Sequence, residues 1–290
     1  MTVTTSAIPI IDSVQDIGGR YRVWFVDIWG VMHNGRNAFP KASAATRAFR
    51  EAGGTVVLLS NSPRPSPAVQ EQLRQFGVPD EAYDTTVTSG DLTRHELGKH
   101  AGARVFHLGP ERDQMIFAGL DVTLTGPDEA DLIVCSGPFN DDVETPDDYT
   151  DLLSTLAARG LLMICANPDH MVERGDRLVY CAGALAAVYE GFGGEVIYAG
   201  KPHAPVYELA LETAGRLAGE TVERRRVLAI GDGLKTDIAG AGGFGIDAIF
   251  VASGLHAPGE GSETLDAEHV AQLFGPESRR PIAATRALDW

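Results

Sequence analysis

The stretch RVWFVDIWGVMHNG, residues 22–35, decides the fold. It opens with the segment Arg22–Val26, whose last four side chains are apolar, and an acidic residue, Asp27, follows directly. A short β-branched and aromatic run of this kind is typical of a strand that is buried on both faces of a parallel sheet. Runs like it alternate with helical patterns along the chain, which predicts an α/β protein with a Rossmann-like parallel sheet.

Seven further apolar runs predict strands, and three amphipathic runs predict helices. The strands are expected at Thr55–Leu59, Arg104–Leu108, Leu132–Cys135, Leu161–Cys165, Glu195–Ala199, Arg226–Ile230 and Asp247–Val251. The helices are expected at Lys41–Ala52, Ala68–Phe76 and Pro205–Leu217. Because residues 89–195 hold strands and helices of their own, we expect them to form an inserted α/β cap domain. Residues 1–88 and 196–290 then form a discontinuous core domain.

The charge balance indicates the class of partner. The 290 residues include 24 basic and 40 acidic side chains, a formal net charge of -16. A surface of this sign repels nucleic acid and anionic membranes. The chain lacks an apolar run long enough to span a bilayer, and residues 1–10 lack the basic start and apolar core of a signal peptide. We therefore expect a cytoplasmic protein whose partner is a small molecule, not nucleic acid or a membrane.

Polar side chains follow three of the predicted strands directly. Asp27 comes after VWFV, Ser60 after VVLL, and Asp232 after VLAIG. Because the carboxyl ends of parallel strands share one edge of the sheet, where ligands bind, we expect these side chains to converge. Two carboxylates at one edge repel each other unless a cation lies between them, and Mg²⁺ is the hard cation that bridges carboxylates to phosphate. Ser60 and Lys201, in the segment GKPH, could then bind phosphate oxygens.

Each of these residues also has a simpler interpretation. Asp27 and Asp232 could be turn residues after a strand, and Ser60 with Asn61 could begin the Pro-rich loop that follows. Lys201 could be a surface lysine before a helix. Because these residues occur together, each at the end of a predicted strand or before a predicted helix, we favour a phosphate site over separate turn and surface residues.

Four segments carry a family resemblance: FVDIWGVMHNG, LLSNSPR, AGKPHAPVYELAL and IGDGLKTDIAGAGGFG. In this order they resemble the four motifs of haloacid dehalogenase (HAD) superfamily hydrolases. They are most similar to the class IIA branch of NagD-like and 4-nitrophenylphosphatase-like enzymes, which inserts a large α/β cap between the second and third motifs. The resemblance implies a Mg²⁺-dependent phosphatase that acts on a small phosphate monoester, such as a sugar phosphate or a nucleotide.

The resemblance also implies roles for individual residues on the phosphate side of the site. Asp27 would attack phosphorus and form an aspartyl-phosphate that water later hydrolyses, which divides one difficult displacement into two easier ones. Ser60, Asn61 and Lys201 would hold the transferring phosphoryl group.

On the metal side, the resemblance implies that Mg²⁺ is bound by the Asp27 carboxylate, the backbone carbonyl of Trp29 and the Asp232 carboxylate. Asp237 would support this site. A local alternative exists for Asp237, because Thr236 and Asp237 precede an apolar helical stretch and could cap its N-terminus.

The first motif departs from the family pattern at Trp29. Most phosphatases of the superfamily have Asp-x-Asp there, with the second Asp as general acid and base, whereas this chain has Asp-x-Trp-Gly. An indole N–H is only a weakly acidic donor, and loss of acid-base assistance typically costs about 10²–10⁴-fold in rate. His33 could supply the missing acid, since histidine titrates near neutrality, or it could be a loop residue that supports the turn HNG. A substrate with a good leaving group would need no protein acid.

The segment Asn167-Pro168-Asp169 resembles the NPD segment of NagD-like caps and predicts contacts to the non-reacting half of the substrate. A plain turn is the alternative. Two rival functions stay open from the sequence: a phosphate-binding regulator or pseudoenzyme without turnover, and a metal-independent dehalogenase, since those enzymes also carry an aromatic residue at the position of Trp29. The oligomeric state is open, with the cap as the place for a homodimer contact.

Overall fold

The computed structural model describes residues 7–174, 177–252, 265–275 and 279–290. The backbone contacts group the chain into two compact units. Unit 1 comprises residues 1–60, 70–86 and 201–290, and unit 2 comprises residues 61–69 and 87–200. The division into a core domain and a cap at residues 89–195 stays a prediction.

Strands and helices alternate through most of the described residues. The strands are β1 (Val23–Asp27), β2 (Thr55–Ser60), β3 (Thr85–Thr88), β4 (Ala103–Leu108), β5 (Val122–Leu124), β6 (Leu132–Cys135), β7 (Leu162–Cys165), β8 (Met171–Arg174), β9 (Arg177–Tyr180), β10 (Glu195–Tyr198), β11 (Val227–Gly231), β12 (Asp247–Val251) and β13 (Ala283–Thr285). The helices are α1 (Gln15–Gly18), α2 (Pro40–Glu51), α3 (Ser66–Phe76), α4 (Ser89–Leu97), α5 (Thr150–Ala158), α6 (Ala182–Gly191), α7 (Ala204–Ala218), α8 (Ala239–Phe244) and α9 (Ala267–Gln272).

A six-stranded sheet has the strand order β13-β12-β11-β1-β2-β3. Strand β1 pairs in parallel with β11 on one side and with β2 on the other. All five residues of β1 are buried. Trp24 stacks on Phe49 of α2 with ring centroids 4.0 Å apart, and its indole N–H donates to the carbonyl of Gly18 at 3.1 Å. Burial of one such side chain contributes roughly 1.5–3 kcal/mol to the stability of the folded state, so the packing of Trp24 stabilises β1 in the sheet.

Unit 2 has a parallel sheet of its own, with the strand order β10-β7-β6-β4-β5, and an antiparallel pair, β8 and β9. Helices α5 and α6 contribute Leu153 and Leu185 to its apolar core. Helix α4 begins with a capping box, in which the Thr88 hydroxyl accepts a hydrogen bond from the Asp91 N–H and the Asp91 carboxylate accepts one from the Thr88 N–H.

The predicted α/β fold with a parallel sheet is confirmed, and all eight predicted strands and three predicted helices are present with shifts of one or two residues. The sequence interpretation did not identify β3, β5, β8, β9 and β13. These strands have only three or four residues, and β8 and β9 carry charged side chains within them, so their hydrophobic pattern is weak. None of the helices within the described ranges combines the length and the apolar character needed to cross a membrane.

Candidate active site

The centre of the six-stranded sheet places three polar side chains at adjacent strand ends. Asp27 is the last residue of β1, Ser60 is the last residue of β2, and Asp232 directly follows Gly231 at the end of β11. In the parallel register, Asp27 lies opposite Leu59 of β2. The site therefore begins on the three central strands, at the edge where parallel sheets bind ligands.

Three carboxylates meet at this edge. One oxygen each of Asp27, Asp232 and Asp237 lies within 4.8 Å of the others, and Asp27 and Asp237 are only 8% and 5% exposed. Burial raises the pKa of the Asp27 carboxyl well above its usual range, and the neighbouring Asp237 carboxylate raises it further. Such a cluster is stable in its charged form only beside cations.

Lys201 supplies one of these cations. Its ammonium, 3% exposed, donates to Asp27 Oδ1 at 2.5 Å, to Asp237 Oδ1 at 2.9 Å and to the Leu59 carbonyl at 3.1 Å. Burial alone lowers the pKa of Lys201, but the Asp237 and Asp27 carboxylates raise it by more, so the side chain stays charged. Three carboxylates and one ammonium leave a formal charge of about -2 when all are ionised, which a divalent cation would neutralise.

Asp237 lies inside a π-helical turn, Leu234–Ile238, which runs into α8. Its Oδ1 accepts from Lys201, while its Oδ2 accepts from the Gly233 N–H at 3.1 Å and from the Thr236 hydroxyl at 3.3 Å. Thr236 and Asp237 are thus interior residues of the turn, and neither is its N-cap, so the capping alternative was wrong. Both Asp237 oxygens are bound within the protein, which suits support of the site more than direct metal ligation.

Gly231 permits this arrangement. A Cβ at position 231 would lie 2.3 Å from Cγ of Asp237, so any side chain there would displace the carboxylate. Gly231 is not among the site residues predicted from the sequence, although its signal is present as the first glycine of the GDG segment around Asp232. The contact between Lys201 and the carboxylates themselves was not predicted either.

The residues at this edge fit a Mg²⁺ ion. Asp27 and Asp232 offer carboxylate oxygens, and among the described residues none donates a hydrogen bond to the backbone carbonyl of Trp29. Mg²⁺ usually binds a small number of hard oxygen donors from the protein and keeps several water ligands. The metal ligands named from the sequence are therefore chemically suitable for Mg²⁺. Asp237 would support them through its hydrogen bonds and would not bind the metal directly.

Trp29 and His33 lie in the turn after β1. The Trp29 side chain is 45% exposed, whereas His33 is 3% exposed. The His33 Nδ1 accepts a hydrogen bond from the Gly35 N–H at 2.9 Å, and its ring packs edge-on against Trp29 and Phe76. Burial lowers the pKa of His33 to about 4. These contacts are those of a neutral histidine that supports the turn.

Gly35 has a φ of +81° and lies beneath Trp29, where a Cβ would come within 2.2 Å of the indole ring. A side chain at position 35 would therefore be strained and would also collide with Trp29. The glycine of the HNG turn thus fixes where the indole lies.

The remaining candidate residues lie in unit 2 and contact one another. The Asn61 side-chain amide donates to Asp169 Oδ1 at 2.9 Å, and the Asp169 N–H donates to Asn167 Oδ1 at 3.0 Å. Asn61 follows Ser60 directly along the chain. The structure thus brings the end of the LLSNSPR segment and the NPD segment together, which the sequence did not predict.

Comparisons with known proteins agree with this site. A family model described as haloacid dehalogenase-like hydrolase matches residues 24–123, and a second, HAD-hydrolase-like model matches residues 198–274. The crystal structure of a hydrolase of the haloacid dehalogenase-like family from Brucella suis 1330 is 46% identical, with a TM-score of 0.84, and the match covers 96% of this chain and 99% of that one. The ribonucleotide monophosphatase NagD of Escherichia coli (strain K12) is 29% identical over 236 residues, 79% of this chain and 86% of that protein. The sugar-phosphatase AraL of Bacillus subtilis (strain 168) is 27% identical over 241 residues, 81% of this chain and 84% of that protein.

Proposed function

Because the chain belongs to the haloacid dehalogenase-like hydrolase family, in its class IIA branch, it is a phosphatase, and we propose that it hydrolyses a small phosphate monoester with Mg²⁺ through an aspartyl-phosphate on Asp27. The observation that carries the proposal is the buried cluster of Asp27, Asp232 and Asp237 around Lys201 at the carboxyl edge of the sheet. The names of NagD and AraL support a nucleotide or sugar phosphate as the substrate class.

In the first step, a carboxylate oxygen of Asp27 attacks phosphorus, a new O–P bond forms, and the P–O bond to the leaving group breaks, so that an alkoxide departs and takes a proton from water. In the second step, water attacks the same phosphorus and gives a proton to solvent, and the bond to Asp27 breaks, which releases inorganic phosphate and restores the Asp27 carboxylate. Asp27 is suited to both steps because β1 holds it rigidly while its charge is balanced by Lys201. A nucleophile fixed near the reacting atom removes much of the entropic barrier.

Lys201 and Ser60 would bind the phosphate oxygens, and Asn61 would lie beside them. The Lys201 ammonium is the strongest candidate, since it is buried and is held beside Asp27 by one charged hydrogen bond to Asp27 and one to Asp237. A positive charge held in place before the reaction stabilises the transition state without reorganising. Mg²⁺, held by Asp27, Asp232 and the Trp29 carbonyl, would neutralise the phosphate and polarise it for attack.

The absence of an acid at Trp29 predicts slow turnover with ordinary alkyl phosphates. The Trp29 indole cannot protonate a leaving alkoxide or activate water. Esters whose leaving group is already a weak base should be hydrolysed relatively fast. A cytoplasmic location and a homodimer contact in the cap also stay predictions from the sequence.

Removal of the metal is expected to lower phosphate release from 4-nitrophenyl phosphate by at least about 100-fold, since charge neutralisation by a bound cation contributes several kcal/mol. The assay compares EDTA-treated enzyme before and after Mg²⁺ is restored, with NaCl of equal ionic strength as the control. Full activity in EDTA would contradict the Mg²⁺ site. Metal-independent chloride release from a haloacid would instead support a dehalogenase, and phosphate binding without release would support a regulator.

The His33→Asn variant separates the two roles of His33. As a general acid, His33 would be needed for alkyl phosphates and hardly at all for activated aryl phosphates. A pKa of about 4 leaves roughly one His33 side chain in a thousand protonated at pH 7, that is 10^(4−7), so we expect equal, modest losses with both substrates. Rates with 2-hydroxyethyl phosphate and 4-nitrophenyl phosphate test this, with the exposed His95→Asn as the control. A loss confined to the alkyl ester would establish His33 as the acid.

A further inference from the structure

A second polar site lies entirely within unit 2. It is a cavity of about 170 Å³ whose lining residues include none of Asp27, Asp232, Asp237 and Lys201. Its charged lining residues are Arg64, Arg112, Asp113, Asp141 and Arg174, and Ser136 and Tyr180 add hydroxyl groups. Three guanidinium groups thus face two carboxyl groups in a chain whose net charge is -16.

The two carboxyl groups do not cancel the three cations. Asp141 is bridged by Arg112 and Arg174 at the same time, and Asp142 pairs with Arg174 at 3.7 Å and with Arg177 at 2.6 Å. These three arginines and two aspartates together keep one positive charge in excess. The backbone N–H of Arg64 donates to the Ser62 hydroxyl, but within the described part of the chain its guanidinium forms neither a hydrogen bond nor an ion pair. A guanidinium is a planar fork of N–H donors that matches the oxygens of a carboxylate.

Two of the lining residues, Asp113 and Ser136, are held by a chain of hydrogen bonds. Asp113 is 2% exposed and is hydrogen-bonded to the Ser136 hydroxyl, which in turn lies 3.0 Å from His107 Nε2. Burial lowers the pKa of His107 to about 4, so the ring is neutral at pH 7. Burial also raises the pKa of Asp113, against the opposing effect of the nearby Arg112 and Arg64 guanidinium groups. The cavity is therefore preorganised, with positive charge in excess.

The size of the cavity limits its ligand. Pockets that enclose drug-sized ligands have about 300–1,000 Å³, so a cavity of about 170 Å³ suits a smaller molecule. A nucleoside is too large to be enclosed there, whereas a carboxylate on two or three carbons fits.

We propose that this cavity of unit 2 binds a small organic carboxylate, with Arg64 as its ion-pairing residue and Arg112 and Arg174 as the surrounding positive charge. The carboxylate belongs to a free small acid, and its binding does not rest on the proposed phosphatase function.

Binding is tested with D-glycerate and glycerol, which differ only in a carboxylate against a hydroxymethyl group. Titration calorimetry on the full chain should show binding of D-glycerate and none of glycerol at millimolar concentrations. Arg64→Gln should weaken D-glycerate binding at least about tenfold, and Arg64→Lys, which keeps the charge but not the fork, should weaken it less. Arg47→Gln is the matched control, because Arg47 is exposed and its ion pair is with the exposed Glu51 on its own helix.

The proposal is overturned if D-glycerate does not bind, or if it binds Arg64→Gln as tightly as the wild type. Should Arg64→Gln fail to fold, the wild type alone decides. An Arg64 ion pair requires D-glycerate affinity to fall as NaCl is raised, and salt-independent binding contradicts it.

A phosphatase assay with Mg²⁺ keeps the binding proposal apart from the proposed function. Failure to release phosphate from 4-nitrophenyl phosphate, glycerol 3-phosphate and 3-phospho-D-glycerate would contradict the phosphatase function and leave the D-glycerate binding result standing.

Discussion

The Asp27→Asn variant is expected to release phosphate from 4-nitrophenyl phosphate about 10⁴-fold more slowly than the wild type, or not at all, as happens when a covalent nucleophile is removed. Asparagine has the same shape as aspartate but offers no anionic oxygen to attack phosphorus. The loss should lie in kcat, because the residues proposed to bind phosphate, Ser60 and Lys201, are unchanged.

The loss should occur without unfolding. Burial and the nearby Asp237 carboxylate already disfavour a charge on Asp27, so replacing it with a neutral amide should leave the melting temperature near that of the wild type. Asp247→Asn is the matched control, since Asp247 is an exposed residue at the start of β12. Residual activity of more than a few per cent in pure Asp27→Asn protein would contradict the nucleophile assignment.

The Lys201→Met variant is expected to lower the free energy of unfolding of the metal-free protein by about 3–5 kcal/mol, the usual cost of removing one partner of a buried ion pair. Methionine fills similar space but leaves the Asp27 and Asp237 carboxylates without the ammonium that both contact at less than 3 Å. Turnover should also fall by about 10²–10³-fold, because a preorganised positive charge is lost.

Mg²⁺ should restore part of the stability of Lys201→Met, since a divalent cation also neutralises the clustered carboxylates. Urea denaturation with EDTA and with Mg²⁺ measures both effects. Lys41→Met is the control: Lys41 forms an exposed ion pair with Asp289, and such pairs contribute about 0–1 kcal/mol. Equal stability of Lys201→Met and Lys41→Met would show that the ammonium does not hold the cluster together.

Much of the fold could be predicted because its strands are continuous apolar runs that carry their own signal. The segment ending in Asp27 is buried at every position of β1, and the end of each of the three central strands could be located from sequence within a residue. The same reasoning missed β5, whose three residues are partly exposed and contain a threonine. The conformation of a short edge strand depends on the neighbouring strand with which it pairs. The local hydrophobic pattern of the sequence does not contain this information.

The candidate site was predicted in its residue types but not in its contacts. The Lys201 ammonium and the Asp27 carboxylate are separated by 174 positions along the chain, so their hydrogen bond depends on how the whole sheet assembles. The same holds for Asn61 and Asp169, which are 108 positions apart. The interior position of Asp237 in a π-helical turn also has no simple sequence signal, because the segment could equally begin an ordinary α-helix.

The position of β1 between two parallel neighbours has a further consequence for local unfolding of the sheet. Each end of the sheet can open without disturbing β1, but release of β1 itself requires its hydrogen bonds to both β11 and β2 to break. Fluctuations that expose such a central strand are as rare as complete denaturation, whereas those of edges and loops are far more frequent. Thermal motion can therefore loosen the edge strands many times over while Asp27, the proposed nucleophile, keeps its place.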